Sequence, residues 1–152
     1  MTGIGDLKAL QKAMRRISRA LDVHSRRIDK EIGLTLPQLV VLTCVRDLGE
    51  VISRAISKEA DLSPPTVVGI LDKLEAKGMI ERYRSPQDRR IVFTRLTENG
   101  RLALEQAPPP IGKAFQRGFL ALEPACREDI VGAFETVAGL IETDTSDDMA
   151  QL

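Results

Sequence analysis

The sequence predicts a mainly helical fold that contains one small β-hairpin and has long helices at both ends. Apolar residues recur at helical spacing over most of the 152 residues, and the two-residue alternation of strands occurs over 79–84 and returns over 91–96. With 43% hydrophobic and 29% charged residues, the chain is long enough to form one domain with a hydrophobic core.

The N-terminal segment predicts two helices with different surroundings. The first has the alternating three and four spacing of a heptad seam, which is typical of a helix that packs along another helix. Its seam consists of Leu7, Leu10, Met14, Ile17, Leu21, His24 and Ile28. The second, Leu36 to Leu48, is apolar on nearly all sides, with Pro37 in its first turn and Gly49 at its end. It is predicted to lie at the centre of the domain.

Two further helices are joined by a tight link. Residues 52–60 predict a short helix capped at Ser53, and Asp61 and Leu62 connect it to a second helix. Ser63 can cap that helix, Pro64 suits its first position, and Gly78 can end it. Its buried stripe is Val67, Ile70, Leu71 and Leu74, and its outer face is Pro65, Thr66, Val68, Gly69, Asp72 and Lys73. This is the helix-turn-helix arrangement, whose second helix lies in the DNA major groove.

A basic hairpin follows the second helix. Its turn is formed by Ser85, Pro86, Gln87 and Asp88. Its arginines are Arg82, Arg84, Arg89, Arg90 and Arg95. A charged hairpin can be a solvated surface, but five arginines without a lysine favour a nucleic-acid partner, because guanidinium binds phosphate well.

The C-terminal third predicts more helices. Thr97 can cap a helix that carries Leu102 and Leu104, and the three prolines 108–110 must break or kink it. A helical stripe resumes over Ile111, Ala114, Phe115 and Phe119. Pro124 then opens a last helix, on which Cys126, Ile130, Phe134, Val137 and Ile141 share a face. The polar tail 145–152 is predicted to be frayed.

The formal net charge is zero, but the charges are unevenly distributed. Residues 1–30 carry eight Lys/Arg and three Asp/Glu, and residues 53–95 carry nine and six. Residues 31–52 carry one and three, and residues 96–152 carry four and ten. This asymmetry fits a basic DNA-binding surface opposite an acidic end.

Other classes of protein find little support in the sequence. There is no apolar run long enough for a membrane span and no apolar core of a secretory signal near the N-terminus, so we expect a cytoplasmic protein without a membrane partner. Phosphate-binding glycine loops, nucleophile motifs and metal-binding helix pairs are missing, which argues against an enzyme. His24 is interpreted as a packing residue, and Cys44 and Cys126 as small hydrophobic residues on buried faces rather than redox switches or metal ligands.

The run ADLSPPTVVGILDKLEAKGMIERYRSPQDRRIVFTRLTENG resembles the winged helix-turn-helix of the MarR family of bacterial transcriptional regulators. The resemblance covers the leucine, serine, threonine and valine at the start of the second helix and Gly78 at its end. Asp72, Leu74 and Glu75 match further along that helix, and the hairpin, or wing, matches through Asp88, Arg90, Leu96, Thr97 and Gly100. Together these matches are specific, whereas each alone would be weak.

The resemblance implies one domain, 1–152, that binds double-stranded DNA as a homodimer. Residues 1–34 and 101–144 would form the dimerisation helices, and residues 35–100 the DNA-binding lobe. Arg90, steadied by Asp88, would enter the minor groove, while Thr66, Val68, Gly69 and Lys73 face the major groove. The full set of expected DNA-binding residues is Ser63, Pro65, Thr66, Val68, Gly69, Lys73, Arg84, Asp88, Arg89 and Arg90.

The same resemblance implies a repressor that occupies a palindromic operator. A small, often aromatic effector would bind between the dimerisation helices and the lobe, and no cofactor or metal is expected. The alternative is a winged-helix adaptor that binds protein and not DNA. An enzyme is the other competing class.

Overall fold

The computed structural model describes residues 3–150, with side chains described except at 144 and 146–150. Its helices are α1 (Gly3–Ile32), α2 (Leu36–Leu48), α3 (Ser53–Ala60), α4 (Pro64–Ala76), α5 (Glu98–Gln106), α6 (Lys113–Leu120) and α7 (Pro124–Ala150). Its strands are β1 (Val51–Ile52), β2 (Ile80–Arg84) and β3 (Val92–Leu96). The chain forms two compact units, one ending at Ile111 and one beginning at Gly112.

Helix α2 is the centre of the first unit, as its sequence predicts. Leu39, Val41, Leu42 and Val45 are buried on it. The N-terminus is held by a capping box, in which Thr35 and Gln38 satisfy each other's backbone N–H groups. The remaining core residues come from the elements around α2: Ile28, Leu34, Val51, Ile56, Val67, Ile70, Leu71, Leu74 and Ile80.

The sheet has a third strand that the sequence analysis missed. The strand order is β1-β3-β2, and both pairs are antiparallel. Strand β1 has two residues, which pair with Thr94 and Phe93 of β3. The expected cap at Ser53 was wrong, because Ile52 occupies the N-cap position without a side-chain hydrogen bond and Ser53 is already helical. The strand therefore runs directly into α3.

The heptad seam of α1 is covered only towards its C-terminal end. Ile28 is buried, and Leu21 and His24 are half-buried. Leu7, Leu10 and Ile17 are exposed in the single chain. The apolar pattern thus continues along α1 beyond the part that its own unit buries.

The C-terminal segments confirm some boundaries and correct others. Thr97 caps α5 by accepting from the Gly100 N–H at 3.1 Å, and α5 ends at Gln106, just before the prolines. Ile111 lies before α6 rather than on it. Helix α7 continues to Ala150 and so includes residues 145–150 of the predicted tail, because that segment has no glycine or proline to end the helix. The rest of the predicted tail, 151–152, lies outside the described residues.

Within the described residues, no helix is both long and apolar enough to cross a membrane.

Candidate nucleic-acid interface

Helix α4 begins with a side-chain cap. Ser63 has extended backbone geometry, and its Oγ accepts from the Thr66 N–H at 3.4 Å. The Ser63 and Thr66 hydroxyls are also hydrogen bonded, at 2.7 Å. Pro64 and Pro65 occupy the first positions, where their missing N–H groups cost nothing. The cap therefore fixes both the start of the helix and the Thr66 hydroxyl.

The outer face of α4 is exposed and made of small or flexible side chains. Pro65, Thr66, Gly69 and Lys73 are exposed, and Val68 is 45% exposed although it is apolar. The space beside Gly69 is open, with no neighbouring heavy atom within 4 Å of where a Cβ would lie. A surface of this kind can approach another molecule closely.

Glycine ends α4, as the sequence predicts. The Met79 N–H donates to the Leu74 carbonyl at 3.0 Å, and the Gly78 N–H donates to the Glu75 carbonyl at 2.9 Å. These are the two bonds of a Schellman motif, which requires a left-handed residue, and Gly78 has φ of 71°. The turn sends the chain directly into β2.

Lys77 fastens the same end of α4 to the preceding helices. Its Nζ donates to the Gly33 carbonyl at 2.6 Å and to Gln38 Oε1 at 3.0 Å. Gln38 is buried and also takes part in the capping box of α2. Helix α4 is thus tied at its C-terminal end to the link between α1 and α2.

The wing loop is ordered by its own hydrogen bonds. Ser85 is buried, and its Oγ accepts from the N–H groups of Gln87 at 3.2 Å and Asp88 at 3.3 Å. The Ser85 N–H donates to the Ile91 carbonyl at 2.9 Å, and the Ile91 N–H donates to the Asp88 carbonyl at 3.0 Å. Residues 85–91 therefore form a defined tip.

Asp88 and Arg90 form a bidentate pair at this tip. Arg90 Nε lies 3.1 Å from Asp88 Oδ1, and Nη2 lies 3.2 Å from Oδ2. The Arg90 N–H also donates to Asp88 Oδ1 at 3.1 Å. These hydrogen bonds from Arg90 hold the pKa of Asp88 below its ordinary value. The Arg90 side chain is nevertheless 91% exposed, so the guanidinium is oriented and still open to a ligand.

The other two expected wing residues lie beside it. Arg84, at the end of β2, donates from Nη1 to the Arg89 carbonyl at 2.7 Å. The side chains of Arg84 and Arg89 are both exposed. The tip therefore presents three guanidinium groups, from Arg84, Arg89 and Arg90.

The remaining two arginines of the hairpin form ion pairs within the protein. Only three of the five arginines that were expected to favour a nucleic-acid partner are therefore available to one. Arg82 is paired with Asp72 and Glu75 of α4. Arg95 is paired with Glu81 and Glu50, and its guanidinium lies 4.7 Å from the centre of the Tyr83 ring. The sequence contains a signal for one pair, because Glu81 and Arg95 lie opposite each other in the hairpin register.

A hydrogen bond at the base of the wing was also not predicted from the sequence. The Tyr83 hydroxyl donates to Glu50 Oε2 at 2.5 Å. This bond is the main cause of a raised pKa of Tyr83 and a lowered pKa of Glu50. Glu50 precedes β1 and Tyr83 lies in β2, so the contact spans the sheet.

The histidine and cysteines lie outside this surface. Cys44 is buried, and burial raises the pKa of its thiol, which favours the unreactive form. Cys126 is exposed in the single chain, so the expected burial of this residue is not provided by its own unit. The half-buried His24 belongs to no group of metal-binding side chains, and the described residues contain no such group.

Comparison with known proteins gives a consistent set of relatives. Residues 34–92 match the model of the MarR family. The chain is 34% identical over 90 residues to the HTH-type transcriptional regulator MgrA of Staphylococcus aureus, and this match covers 59% of the chain and 59% of the relative. Less than two thirds of that relative is therefore matched.

Solved structures match over more of the chain. A crystal structure of a MepR-like protein complexed with pseudoligands has a TM-score of 0.69 at 26% identity, and the match covers 93% of this chain and 97% of that one. BpsR of Bordetella bronchiseptica, described with a mechanism for regulation of its DNA binding by 6-hydroxynicotinic acid, has a TM-score of 0.61 at 29% identity. That match covers 84% and 98% of the two chains.

Proposed function

We propose that this chain, whose residues 34–92 match the MarR family of transcriptional regulators, is a winged-helix repressor that binds a palindromic operator as a homodimer and responds to a small effector. The observation that carries the proposal is the wing tip. Arg90 is exposed and held in a fixed orientation by Asp88, and the outer residues Thr66, Gly69 and Lys73 of α4 are exposed as well. The site of action would be the cytoplasm.

The α4 face has the size and chemistry to enter a major groove. Thr66 and Lys73 offer polar groups to base edges and phosphates, and Val68 offers a methyl surface to thymine. Gly69 lets the helix backbone approach closely. Specificity would come from these contacts, from the wing and from DNA shape.

The wing would contact the flanking minor groove. A guanidinium fits a narrow minor groove, where the negative potential is strongest. Arg84 and Arg89 would add phosphate contacts on either side of Arg90. Together they would supply the salt-dependent part of the affinity.

Exposed apolar residues support the homodimer. In the first unit they lie on α1 and include Ile4, Leu7, Leu10 and Ile17. In the second unit they lie on α6 and α7 and include Phe115, Leu120, Val131, Phe134 and Leu140. Large exposed apolar side chains grouped on a few helices are characteristic of a protein interface. A two-fold dimer would place two α4 helices for half-sites about one helical turn apart.

The proposal of a small effector is supported by what is described for two similar proteins. BpsR is described as regulated in its DNA binding by 6-hydroxynicotinic acid, and the MepR-like protein binds pseudoligands. We propose a small aromatic effector here as well. It would act by binding one arrangement of the dimer's two DNA-binding lobes better than the other. A ligand with equal affinity for both arrangements would not change their populations.

A gel shift tests the proposal directly. The probe is the DNA upstream of the gene for this chain, and a scrambled duplex of the same composition is the control. We expect a single shifted complex that survives excess scrambled DNA and weakens steeply with salt. A protein-binding adaptor or an enzyme would show no preference between the two duplexes, and that result would reject the proposal.

A further inference from the structure

Arg82 differs from the arginines of the wing tip because its side chain lies against α4. Only 23% of the side chain is exposed. Its Nη2 donates to Asp72 Oδ1 at 2.5 Å and to Glu75 Oε1 at 3.0 Å. Its Nε and its backbone N–H both donate to Glu75 Oε2, at 3.4 Å and 3.1 Å. We call Arg82, Asp72 and Glu75 the wing clamp.

The wing clamp joins the two parts of the proposed DNA-binding surface. Asp72 and Glu75 lie one turn apart on α4, and Asp72 follows Gly69 and Val68 by three and four residues, on the outward side. Arg82 lies in β2, two residues before the strand ends at Arg84. Within the described residues, every ion pair between α4 and the hairpin is made by Arg82.

The chemistry of the clamp suits a positioning role. A planar guanidinium bound by two carboxylates fixes direction as well as distance, which a single ammonium could not do. The side-chain hydrogen bonds between Arg82 and Glu75 are the largest cause of the raised pKa of Arg82 and of the lowered pKa of Glu75. Arg82 and Glu75 are therefore both charged at neutral pH.

We propose that Arg82 is a positioning residue that sets the wing against the recognition helix α4 and does not itself contact DNA. The inference rests on the proposed function. Arg90 lies eight residues further along the chain, at the tip of the hairpin, so a small rotation at Arg82 displaces Arg90 by a larger amount. The two contacts, α4 in the major groove and Arg90 in the minor groove, can form together only at one angle between them.

Removing the two carboxylates of the clamp distinguishes a positioning role for Arg82 from a direct contact with DNA phosphate. Replacing both carboxylates, Asp72→Ala with Glu75→Ala, removes two negative charges from the DNA-binding face and frees Arg82. If Arg82 were available as a phosphate contact, this variant would bind operator more tightly. The positioning role predicts weaker binding instead, by about fivefold or more. Alanine is a good helix former at exposed positions, so α4 is retained.

A double-mutant cycle between Arg82 and Arg90 gives the second readout. If Arg82 acts through the placement of Arg90, then Arg90→Ala costs much less affinity in an Arg82→Ala background than in the wild type. Arg82→Lys should restore only part of the loss. Additive costs, together with a fall of about one in the salt slope for Arg82→Ala, would identify Arg82 as a direct phosphate contact and overturn the proposal.

The matched control is Arg101→Ala. Arg101 lies on α5 and is also paired with two carboxylates, Glu98 and Glu105, but it is not part of the proposed interface. Its removal should leave operator affinity and the Arg90→Ala cost unchanged.

A measurement without DNA separates this inference from the proposed function. Hydrogen exchange of the β2 and β3 amides in the free protein should accelerate in Arg82→Ala and remain at the wild-type rate in Arg101→Ala. Unchanged exchange in both variants would refute the clamp. If the wild type bound no operator but the exchange changed as expected, the proposed function would fail while the clamp would stand.

Discussion

Arg90 combines high exposure with a fixed orientation, and this combination distinguishes it from the other arginines of the hairpin. Arg82 and Arg95 are held by carboxylates away from the tip. The Asp88 carboxylate instead orients Arg90 while leaving the guanidinium open. The role proposed for Arg90 therefore depends on its geometry rather than on the number of positive charges in the hairpin.

We expect Arg90→Ala to weaken operator binding roughly tenfold or more and to lower the slope of log affinity against log salt. Asp88→Ala should also weaken binding, although it removes a negative charge, because Arg90 loses its support. Thr66→Ala should mainly reduce discrimination between the operator and a mutated operator, with little change in salt slope. Titrations at several salt concentrations compare the three, and tighter binding by Asp88→Ala would show that charge alone governs the wing.

The pair between Glu75 and Arg82 should be visible in the acid stability of the protein. Its hydrogen bonds lower the pKa of Glu75 in the folded state. The pair therefore stabilises the fold at every pH above the ordinary glutamate pKa, and this stabilisation is lost as the pH falls through the lower, folded pKa. Unfolding free energies of the wild type and Glu75→Gln should converge below that range and differ above it. A constant difference at all pH values would contradict the assignment.

Sequence alone predicted the contacts between residues that are close in the chain. The Ser63 cap was predicted from local chemistry, and the support of Arg90 by Asp88, two residues away, was implied by the family resemblance. The partners of Arg82 could not be predicted, because Asp72 and Glu75 meet it only when the hairpin folds back onto α4. Glu81 and Arg95 are intermediate, since the hairpin register alone places them opposite each other.

Among the elements, the end of α4 and the start of α5 were predicted from their caps, whereas the start of α3 and the strand before it were not. Helix α4 ends at a Schellman motif that requires Gly78, and α5 begins at the Thr97 cap. Strand β1 has only two residues and exists because β3 lies beside it. No local pattern of two residues could reveal it.

Replacement by alanine should destabilise the protein to different extents at two glycines, one at the end of α4 and one in the first turn of α5. Gly78 has a positive φ, and a Cβ there would make only an ordinary van der Waals contact with Asn99 Nδ2 at 3.8 Å, so Gly78→Ala should cost about 1 kcal/mol of backbone strain. Gly100 is helical, but a Cβ there would lie 2.0 Å from the Met79 carbonyl oxygen. Gly100→Ala should therefore cost more, about 2 to 3 kcal/mol, because the backbone must move. Denaturant unfolding at one fixed protein concentration compares them, and equal costs would contradict the packing of α5 on the α4–β2 turn.

For the whole molecule, the exposed apolar residues of α1, α6 and α7 are the basis for proposing a dimer. The sequence predicted apolar stripes there, but it could not show which parts a single chain buries. The exposure of Cys126 is one example, since the helix face that carries it is not covered within its own unit.

We therefore expect an obligate dimer at micromolar concentration, with a buried interface above about 2,000 Å². Replacing Phe134 and Leu140 on α7 by glutamate should produce monomers that bind operator much more weakly, because one half-site remains unread. Sedimentation analysis measures the mass. A folded wild-type monomer with full operator affinity would remove the basis for a palindromic site.

The most direct test of the central claim, that two α4 helices of a dimer read two half-sites on one face of DNA, is to change the spacing of those half-sites. Inserting about five base pairs at the centre of the operator rotates one half-site by roughly half a turn while leaving every base contact intact. The account predicts that affinity for the altered duplex falls to the level of a single half-site, with a smaller salt slope. Unchanged affinity and slope would contradict it, because each subunit would then be binding DNA independently.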